Sequence, residues 1–560
     1  MANLWVKKPL SQLLSQANDT EGGLKRTLGA VNLVALGIGA IIGAGLFVRT
    51  AAAAAEAAGP AVTLSFIVAA IGCAFAGLCY AEFAAMIPIA GSAYTYAYAT
   101  LGEIVAWIIG WALIMEYALG AATVSIAWSE YLNKLIFKLT GSDIPFAWCH
   151  SPMEGGIMNA PALIILLLLT LLLIRGTQQT AWVNGAIVTI KVSIVLVFIA
   201  IGWGFINSGN HEPYFIPQAK ATDPTNIFKY GYGGVLGGAA IVFFAFIGFD
   251  AVSTAAQEAK NPAKDMPVGI LGSLVVCTIL YILFSHVLTG VANWEEFRIA
   301  GKEASVAFAI DKYMTGYGWL STSVTVAILA GFSSVILVML LGQSRVFYSM
   351  AKDGLLPKMF SDLHPDYSTP YKSNWILFVF VGLFAALVPG SMAGDLTSFG
   401  TLFAFVIVCI GVWVLRVKSP EIKRPFRAPM VPIVSTLGVV ICGSMIVAID
   451  PMTLKTAFWW MSLGLGVYFL YSLNKSRLQN LTKDINPALT YGGTALLIGG
   501  LIYAFLHLEH SKLIEAIKPE DAAINAAIVA KNAYNLYHWA YGMVACIIGI
   551  LLLMQGRKRE

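Results

Sequence analysis

The chain has 560 residues, of which 58% are hydrophobic and 12% are charged, with a formal net charge of +5. Soluble globular domains carry about 25% charged residues, so this composition excludes that class. Apolar runs of about 20 residues, long enough to cross hydrocarbon, recur along the chain and predict a polytopic helical membrane protein. Fourteen spans are predicted, centred near residues 40, 73, 114, 167, 194, 245, 279, 331, 381, 407, 440, 464, 498 and 544.

The lysines and arginines predict how the chain is oriented. With the amino terminus inside, 22 of the 35 Lys and Arg residues fall in cytoplasmic segments and 12 fall on the opposite side. Cytoplasmic loops are enriched in these residues, so both termini are expected in the cytoplasm. The basic loops account for the net charge without a nucleic-acid partner. All three Asn-X-Ser/Thr sequences fall on the predicted cytoplasmic side, which favours a bacterial inner membrane.

The first span contains the stretch GIGAIIGAGLF (37–47), which places four glycines within nine positions. Glycine weakens a helix by roughly 1 kcal/mol relative to alanine. The bilayer also penalises backbone groups that lack a hydrogen-bond partner. The stretch therefore predicts either close packing of small residues against neighbouring helices or a helix that unwinds inside the membrane.

A second interrupted span lies five spans later. Span six reads GGAAIVFFAFIGFDAVSTAAQEAKNP, and Gly248 and Asp250 interrupt its apolar run. Interrupted helices at corresponding positions in two halves of a chain are typical of the central site of a transporter. The N–H end of such a break attracts a carboxylate, and the carbonyl end attracts an ammonium group. The two breaks therefore predict a site that binds a free α-amino acid through backbone groups.

Lys191, in GAIVTIKVSIVLVFIAIGW, is the single Lys or Arg that the hydropathy pattern places well inside a span. Ionisable groups within the membrane are costly and mark functional sites. The alternative is a lysine whose ammonium reaches the cytoplasmic end of span five. The seven cysteines form no disulfide framework, and no CxxC, HExxH or His cluster is present. The sequence therefore predicts no enzyme activity, no metal and no cofactor.

Several long motifs resemble the amino acid–polyamine–organocation superfamily: GIGAIIGAGLFV, CYAEFAAMIPIAGSAYTYAYATLGE, GFDAVSTAAQEAKNPAKDMPVGI and GQSRVFYSMAKDGLLP. LTSFGTLFAFVIV and RPFRAP narrow the resemblance to the cationic amino acid transporter branch and related bacterial permeases. The resemblance covers about residues 25–475. It implies an all-α fold of the LeuT type, with an inverted five-plus-five repeat, broken spans one and six, and four additional spans.

This resemblance also implies the domain organisation. Residues 1–29 are expected to form a cytoplasmic segment and residues 30–417 a core of ten helices. Residues 418–475 are expected to form accessory spans 11 and 12. Residues 476–560 are expected to form spans 13 and 14, with an outside loop near 509–532.

The substrate-binding positions that the resemblance implies lie at the two breaks and in span three: Ile41, Gly43, Ala44, Gly45, Glu116, Phe244, Ala245 and Ile247. The backbone N–H groups of Ala44 and Gly45 are expected to meet the substrate carboxylate, and the carbonyls of Ile41, Phe244 and Ile247 its ammonium. Phe244 is also the expected outer gate. For Glu116 there is an equal alternative to substrate binding. In this alternative, hydrogen bonds near a helix end satisfy its carboxyl.

Sodium-independent proteins similar to this chain place a span-five lysine where sodium-coupled relatives bind a cation, with span-eight partners that correspond to Ser333 and Ser334. Desolvation disfavours a charged amine, so Lys191 is expected to exchange a proton. The implied function is proton-coupled symport of L-amino acids by alternating access. A proton-independent exchanger and a non-transporting sensor or complex subunit are the alternatives.

The expected partners are an L-amino acid, a proton and the lipid bilayer. A small membrane-protein partner or a homodimer stays open. The choice between cationic and small neutral substrates stays open as well, because Glu116 or Asp250 would suit the former and the alanine-rich walls the latter.

Overall fold

The computed structural model describes residues 4–18, 26–43, 45–220, 227–299, 306–388, 390–447, 449 and 451–478. Spans 13 and 14 and the loop near 509–532, which the sequence predicts, lie outside these residues, as does Ala44. The regular structure of the described residues is helical, apart from one isolated bridge between Leu28 and Ala259.

The described α-helices, in chain order, are α1 (Leu10–Asn18), α2 (Ala30–Ile41), α3 (Thr50–Ala53), α4 (Val62–Met86), α5 (Ser92–Thr100), α6 (Glu103–Ile114), α7 (Gly120–Thr140), α8 (Phe146–Cys149), α9 (Ala160–Arg175), α10 (Thr177–Gly202), α11 (Gly231–Val242), α12 (Pro262–Val291), α13 (Trp294–Ile299), α14 (Val306–Tyr313), α15 (Gly318–Lys352), α16 (Tyr371–Leu387), α17 (Gly390–Lys418), α18 (Val431–Val447), α19 (Pro451–Val467) and α20 (Leu473–Lys475).

Seven helical segments of the described chain are long and apolar enough to cross a membrane: Thr50–Met86, Glu103–Thr140, Gln179–Phe205, Gly231–Glu258, Pro262–Val291, Gly318–Lys352 and Leu396–Lys418. The helices α2, α9, α16 and α18 are apolar but shorter. These segments confirm the prediction from composition that the chain is a polytopic helical membrane protein. The total of fourteen spans stays a prediction.

One of the long segments joins two predicted spans. Residues 45–58 continue the first span as π-helical and α-helical turns, and Gly59 then adopts a φ of 60° before α4 begins. Glycine tolerates this left-handed region, which non-glycine residues rarely adopt. The first span therefore ends at Gly59, and the second span follows as α4.

The helix α2 carries part of the candidate site and packs against three other helices. It contacts α10, α12 and α15, which surround it, and α12 also packs along α4. Side chains on α10, α12 and α15 can therefore all reach the end of α2. The opposite faces of these helices present apolar side chains at the surface; Trp182 of α10, for example, is 78% exposed. An apolar outer surface is what helices facing lipid require.

A buried polar network joins the N-terminal segment to the helix ends on the same side of the membrane. Lys8 forms a buried ion pair with Asp353, whose other carboxylate oxygen accepts a hydrogen bond from the Tyr94 hydroxyl at 2.9 Å. The Glu103 carboxylate accepts hydrogen bonds from Tyr468 at 2.9 Å and from Ser476. The segment before α1 is thereby packed against α5, α6 and the end of α15.

Candidate functional site

The first interruption lies between α2 and the π-helical segment Gly45–Arg49. The helix α2 ends at Ile41, and Ile42 is extended, with φ −77° and ψ 104°. Helical turns resume at Gly45, and the Gly43 carbonyl accepts hydrogen bonds from the N–H groups of Leu46 and Phe47 at 3.2 and 3.4 Å. The first span is therefore two helical pieces that meet at Ile42–Gly43.

The second interruption lies after α11. A 3-10 turn over Phe243–Phe246 follows this helix, and Ile247 is then extended, with φ −56° and ψ 134°. Gly248 has a φ of 110°, a conformation that requires glycine, and 3-10 turns resume at Asp250–Glu258. The sixth span is therefore interrupted at residues 247–249.

The two interrupted segments lie directly against each other. A β-carbon at Gly45 would overlap the backbone of Ala245, and one at Gly248 would lie 2.6 Å from Cβ of Ala40. A β-carbon at Gly43 would lie 2.5 Å from Cγ2 of Val335. The glycine-rich stretch thus combines both alternatives that the sequence offers, since the helix unwinds and its glycines also allow close packing.

Lys191 of α10 lies at the carbonyl end of α2. Its side chain is fully buried, and its ammonium donates hydrogen bonds to the carbonyls of Gly39 at 2.8 Å and Ile42 at 2.7 Å. These carbonyls lack helical partners because the helix stops at Ile41. The ammonium is therefore held at the break rather than at the membrane surface, where the alternative interpretation would place it.

The two predicted span-eight serines differ in their contacts. The Ser334 hydroxyl lies 2.9 Å from the Gly39 carbonyl, which also accepts from Lys191, and 2.6 Å from Oδ1 of Asn184. The Ser333 hydroxyl donates instead to the Leu329 carbonyl of its own helix at 2.8 Å. The structure therefore brings Ser334 to the break and turns Ser333 away from it.

Tyr281 of α12 bridges the two interruptions and was missed by sequence reasoning. Its hydroxyl lies 2.7 Å from the carbonyl of Ile41 and 2.8 Å from that of Ala245. Its ring packs against Phe66 and Phe246, with centroids 5.4 and 5.3 Å away. The signal that could have found it is a hydroxyl in the middle of an apolar span, since a buried tyrosine O–H needs a partner.

Glu116 and Asp250 form a buried acidic pair beside the second interruption. Glu116 lies in a π-helical turn, Met115–Leu119, within the third span; such turns are frequent at functional sites. The Tyr117 hydroxyl donates to Asp250 at 2.5 Å, and the two acids interact electrostatically. The Glu116 carboxyl interacts with the side chains of Thr401 and Asp250. The alternative, in which hydrogen bonds near a helix end satisfy this carboxyl, stays open.

Phe244 and Arg49 meet where the two interrupted spans are in contact. Phe244 is 7% exposed, and Cζ of Arg49 lies 5.4 Å from the centroid of its ring. Arg49 is one of the 12 Lys and Arg residues that the orientation prediction assigns to the side opposite the cytoplasm. The structure instead places it in the helical turn directly after the first interruption, because the helix continues to Ala58. Hydropathy alone could not show this continuation.

The described residues contain no group of three or more His, Cys, Asp and Glu side chains that could hold a metal ion. The six described cysteines are free thiols, and all of them are buried.

Two interrupted helices in contact inside a bundle of apolar spans, with a buried cation at one carbonyl end, define the class of helical membrane transporters. The sequence profile of the amino acid permease family matches residues 28–472. The chain belongs to this family, which confirms the resemblance seen in its motifs.

Individual relatives extend the match over most of the chain. The branched-chain amino acid permease BcaP of Bacillus subtilis is 42% identical over 85% of this chain and 99% of its own length. The methylthioribose transporter of the same organism is 40% identical over 85% of this chain and 100% of its own. The vacuolar cationic amino acid transporter 4 of Arabidopsis thaliana is 32% identical over 75% of this chain and 68% of its own. These relatives are transporters rather than enzymes.

Proposed function

We propose that the protein carries L-amino acids across the membrane by proton-coupled symport. The observation that carries this proposal is the buried Lys191 ammonium, which binds the carbonyls of Gly39 and Ile42 at the end of α2, beside a second interrupted helix. The relatives named for branched-chain and cationic amino acids support the substrate class. The relative named for methylthioribose makes a direct test of the substrate necessary.

The free ends of the interrupted helices would bind the groups that all α-amino acids share. The substrate carboxylate would lie at the N–H groups of Ala44 and Gly45, where the second half of span one begins. Its ammonium would lie at the carbonyls of Ile41, Phe244 and Ile247. Tyr281 already contacts the Ile41 carbonyl, but a carbonyl oxygen has two lone pairs and can accept a second hydrogen bond.

Transport would proceed by alternating access in a fold of the LeuT type with both termini in the cytoplasm. Substrate would enter from outside, and Phe244 would close over it. The core helices would then move against one another and open the cytoplasmic path. The closed state must bind the substrate more tightly than the open state does, since otherwise the substrate would not shift the equilibrium between the two states.

Lys191 would link this motion to the proton. The protonated ammonium ties α10 to the carbonyl end of α2, and the Gly39 carbonyl that it binds also accepts a hydrogen bond from Ser334 on α15. Hydrogen bonds from a charged donor are stronger than those from a neutral one. Loss of the proton would weaken these contacts and allow the inner half of span one to move away from α10 and α15.

The test is uptake of radiolabelled L-leucine, L-alanine and L-arginine by proteoliposomes without sodium, with and without an imposed inward proton gradient. The proposal expects uptake that the gradient increases. Uptake that ignores the gradient and requires amino acid inside the vesicles would identify an exchanger. No binding and no uptake of any amino acid would contradict the proposed function as a whole.

A further inference from the structure

Asn184 is a buried amide on α10, the helix that packs against both α2 and α15. It lies seven residues before Lys191, which is about two helical turns, and therefore on the same face of the helix. Its side chain is 1% exposed. A polar group inside a membrane span needs polar partners and marks a functional position.

The Asn184 amide joins the two neighbouring helices. Its Nδ2 donates to the Ala35 carbonyl of α2 at 3.0 Å, and its Oδ1 lies 2.6 Å from the Ser334 hydroxyl of α15. An amide oxygen can only accept a hydrogen bond. Ser334 is therefore the donor in its contact with Asn184.

Gly39 leaves the space that this amide occupies. A β-carbon at Gly39 would lie 2.5 Å from Oδ1 of Asn184 and 2.7 Å from Oγ of Ser334. The Gly39 carbonyl is also one of the two that the Lys191 ammonium binds, at 2.8 Å. The amide, the hydroxyl and the ammonium are thus brought together at one residue of the inner half of span one.

The Ser334 hydroxyl has one proton for two acceptors. It lies 2.9 Å from the Gly39 carbonyl and 2.6 Å from Oδ1 of Asn184, so the amide makes the shorter of the two contacts. A shared proton binds each acceptor less strongly than a proton that is given to one acceptor alone. The Gly39 carbonyl lies in the last turn of α2, where helical partners are missing. Its main donor is therefore the Lys191 ammonium.

We propose that Asn184 is a positioning residue of the proton-coupling site. It draws the Ser334 proton away from the Gly39 carbonyl, which then depends on the neighbouring ammonium. The inference rests on the proposed function, in which loss of the Lys191 proton releases the inner half of span one. With Asn184 in place, the carbonyl loses its main donor when the proton leaves. Without Asn184, the Ser334 hydroxyl would hold the carbonyl instead, and proton loss would release span one less.

Few other titratable groups of the described helices face the Lys191 ammonium. The helix α2 carries none, α10 carries only Lys191, and α15 carries none before Arg345. On α12 the Cys277 thiol interacts with the ammonium, and Tyr281 lies about one turn further along. Arg49 lies in the helical turn after the interruption. The amide itself carries no charge, so a neutral replacement changes the contacts of the site without changing its charge.

The experiment measures L-leucine uptake by proteoliposomes without sodium, with and without an imposed inward proton gradient. The ratio of the two rates is compared among the native protein, Asn184→Leu, Asn184→Asp and a double variant that combines Asn184→Leu with Ser334→Ala. Thr180→Val is the matched control. The Thr180 hydroxyl is also buried on α10, but it donates to the Gly176 carbonyl at the start of the same helix at 2.8 Å.

Asn184→Leu should lower the ratio about fivefold towards one, the equivalent of one hydrogen bond. Asn184→Asp should keep the ratio, since a carboxyl oxygen still faces Ser334. The double variant should regain the native ratio, because it also removes the hydroxyl that replaces the ammonium. Thr180→Val should leave the ratio unchanged. A merely structural role for Asn184 would make the double variant no better than Asn184→Leu.

A second measurement covers a variant that does not transport. Asn184→Ala, which removes the same polar groups, takes the place of Asn184→Leu if the latter does not fold. If neither transports, the thermal stabilisation of detergent-solubilised protein by L-leucine is compared at acidic and at alkaline pH. This stabilisation should depend less on pH in the variant than in the native protein, and an equal dependence would overturn the inference.

An unchanged uptake ratio in Asn184→Leu, or a double variant that does not regain the native ratio, would overturn this inference alone. Native uptake that the proton gradient does not increase would overturn the proposed proton coupling and this inference with it.

Discussion

Tyr281→Phe removes a hydroxyl that touches both interrupted spans and leaves the ring in place. The hydroxyl lies 2.7 Å from the Ile41 carbonyl and 2.8 Å from the Ala245 carbonyl. The phenylalanine ring can keep its packing against Phe66 and Phe246. The substitution therefore tests the polar bridge with little change in packing.

The expected magnitude follows from the hydrogen bonds that are lost. A hydroxyl has one proton, so the variant loses about one net hydrogen bond, worth roughly 0.5–1.5 kcal/mol. It also leaves two buried carbonyls with one donor fewer, and an unsatisfied buried group costs about 1–3 kcal/mol. We therefore expect a loss of about 1–3 kcal/mol in the free energy of unfolding. We also expect weaker amino acid binding, because both carbonyls belong to the segments that would hold the substrate.

Thermal unfolding in detergent and equilibrium binding of L-leucine measure the two effects. Tyr80→Phe is the matched control, since the Tyr80 hydroxyl is buried but forms no hydrogen bond within the described residues, and its ring also packs among aromatic side chains. This control should be neutral or slightly stabilising. The reasoning is refuted if Tyr281→Phe binds and unfolds like the native protein, or if both variants lose the same stability.

Three further predictions concern the neighbouring contacts. Ser334→Ala should weaken transport about fivefold, the equivalent of one hydrogen bond, whereas Ser333→Ala should have little effect on initial uptake rates; equal losses would contradict the assignment. Gly248→Ala should lower the thermal unfolding midpoint and abolish uptake, because its φ of 110° is strained for alanine and its Cβ would meet Ala40. Asp353→Asn should cost about 3–5 kcal/mol of stability by leaving Lys8 buried without its charge partner, and a stability equal to that of the native protein would contradict this.

The sequence predicted the interruptions well because their physical cause is local. Glycines in a membrane span both weaken the helix and permit close packing, and the breaks occur at Gly43 and Gly248. Lys191 was also predictable, because a lysine inside an apolar run is too costly to persist without a polar partner. The family resemblance added Ser333 and Ser334 as candidate span-eight partners of Lys191, which neither composition nor spacing could supply.

The contacts that the sequence could not predict depend on helix rotation and on how far helices continue. One residue corresponds to about 100° around a helix, so Ser333 and Ser334 could not be distinguished without the packing of α15. Tyr281 was missed because an aromatic residue in an apolar span usually serves packing alone. Arg49 was counted on the side opposite the cytoplasm because the first predicted span is centred near residue 40, whereas the helical turns continue through the alanine-rich stretch to Ala58.

The most direct test of the central claim measures proton movement itself. A pH-sensitive dye is enclosed in proteoliposomes, and L-leucine is added outside in the absence of sodium and of any imposed gradient. The account predicts that the lumen acidifies with the native protein and does not acidify with Lys191→Met, which removes the ammonium that binds Gly39 and Ile42. Leucine uptake by the native protein without acidification, or equal acidification by Lys191→Met, would contradict it.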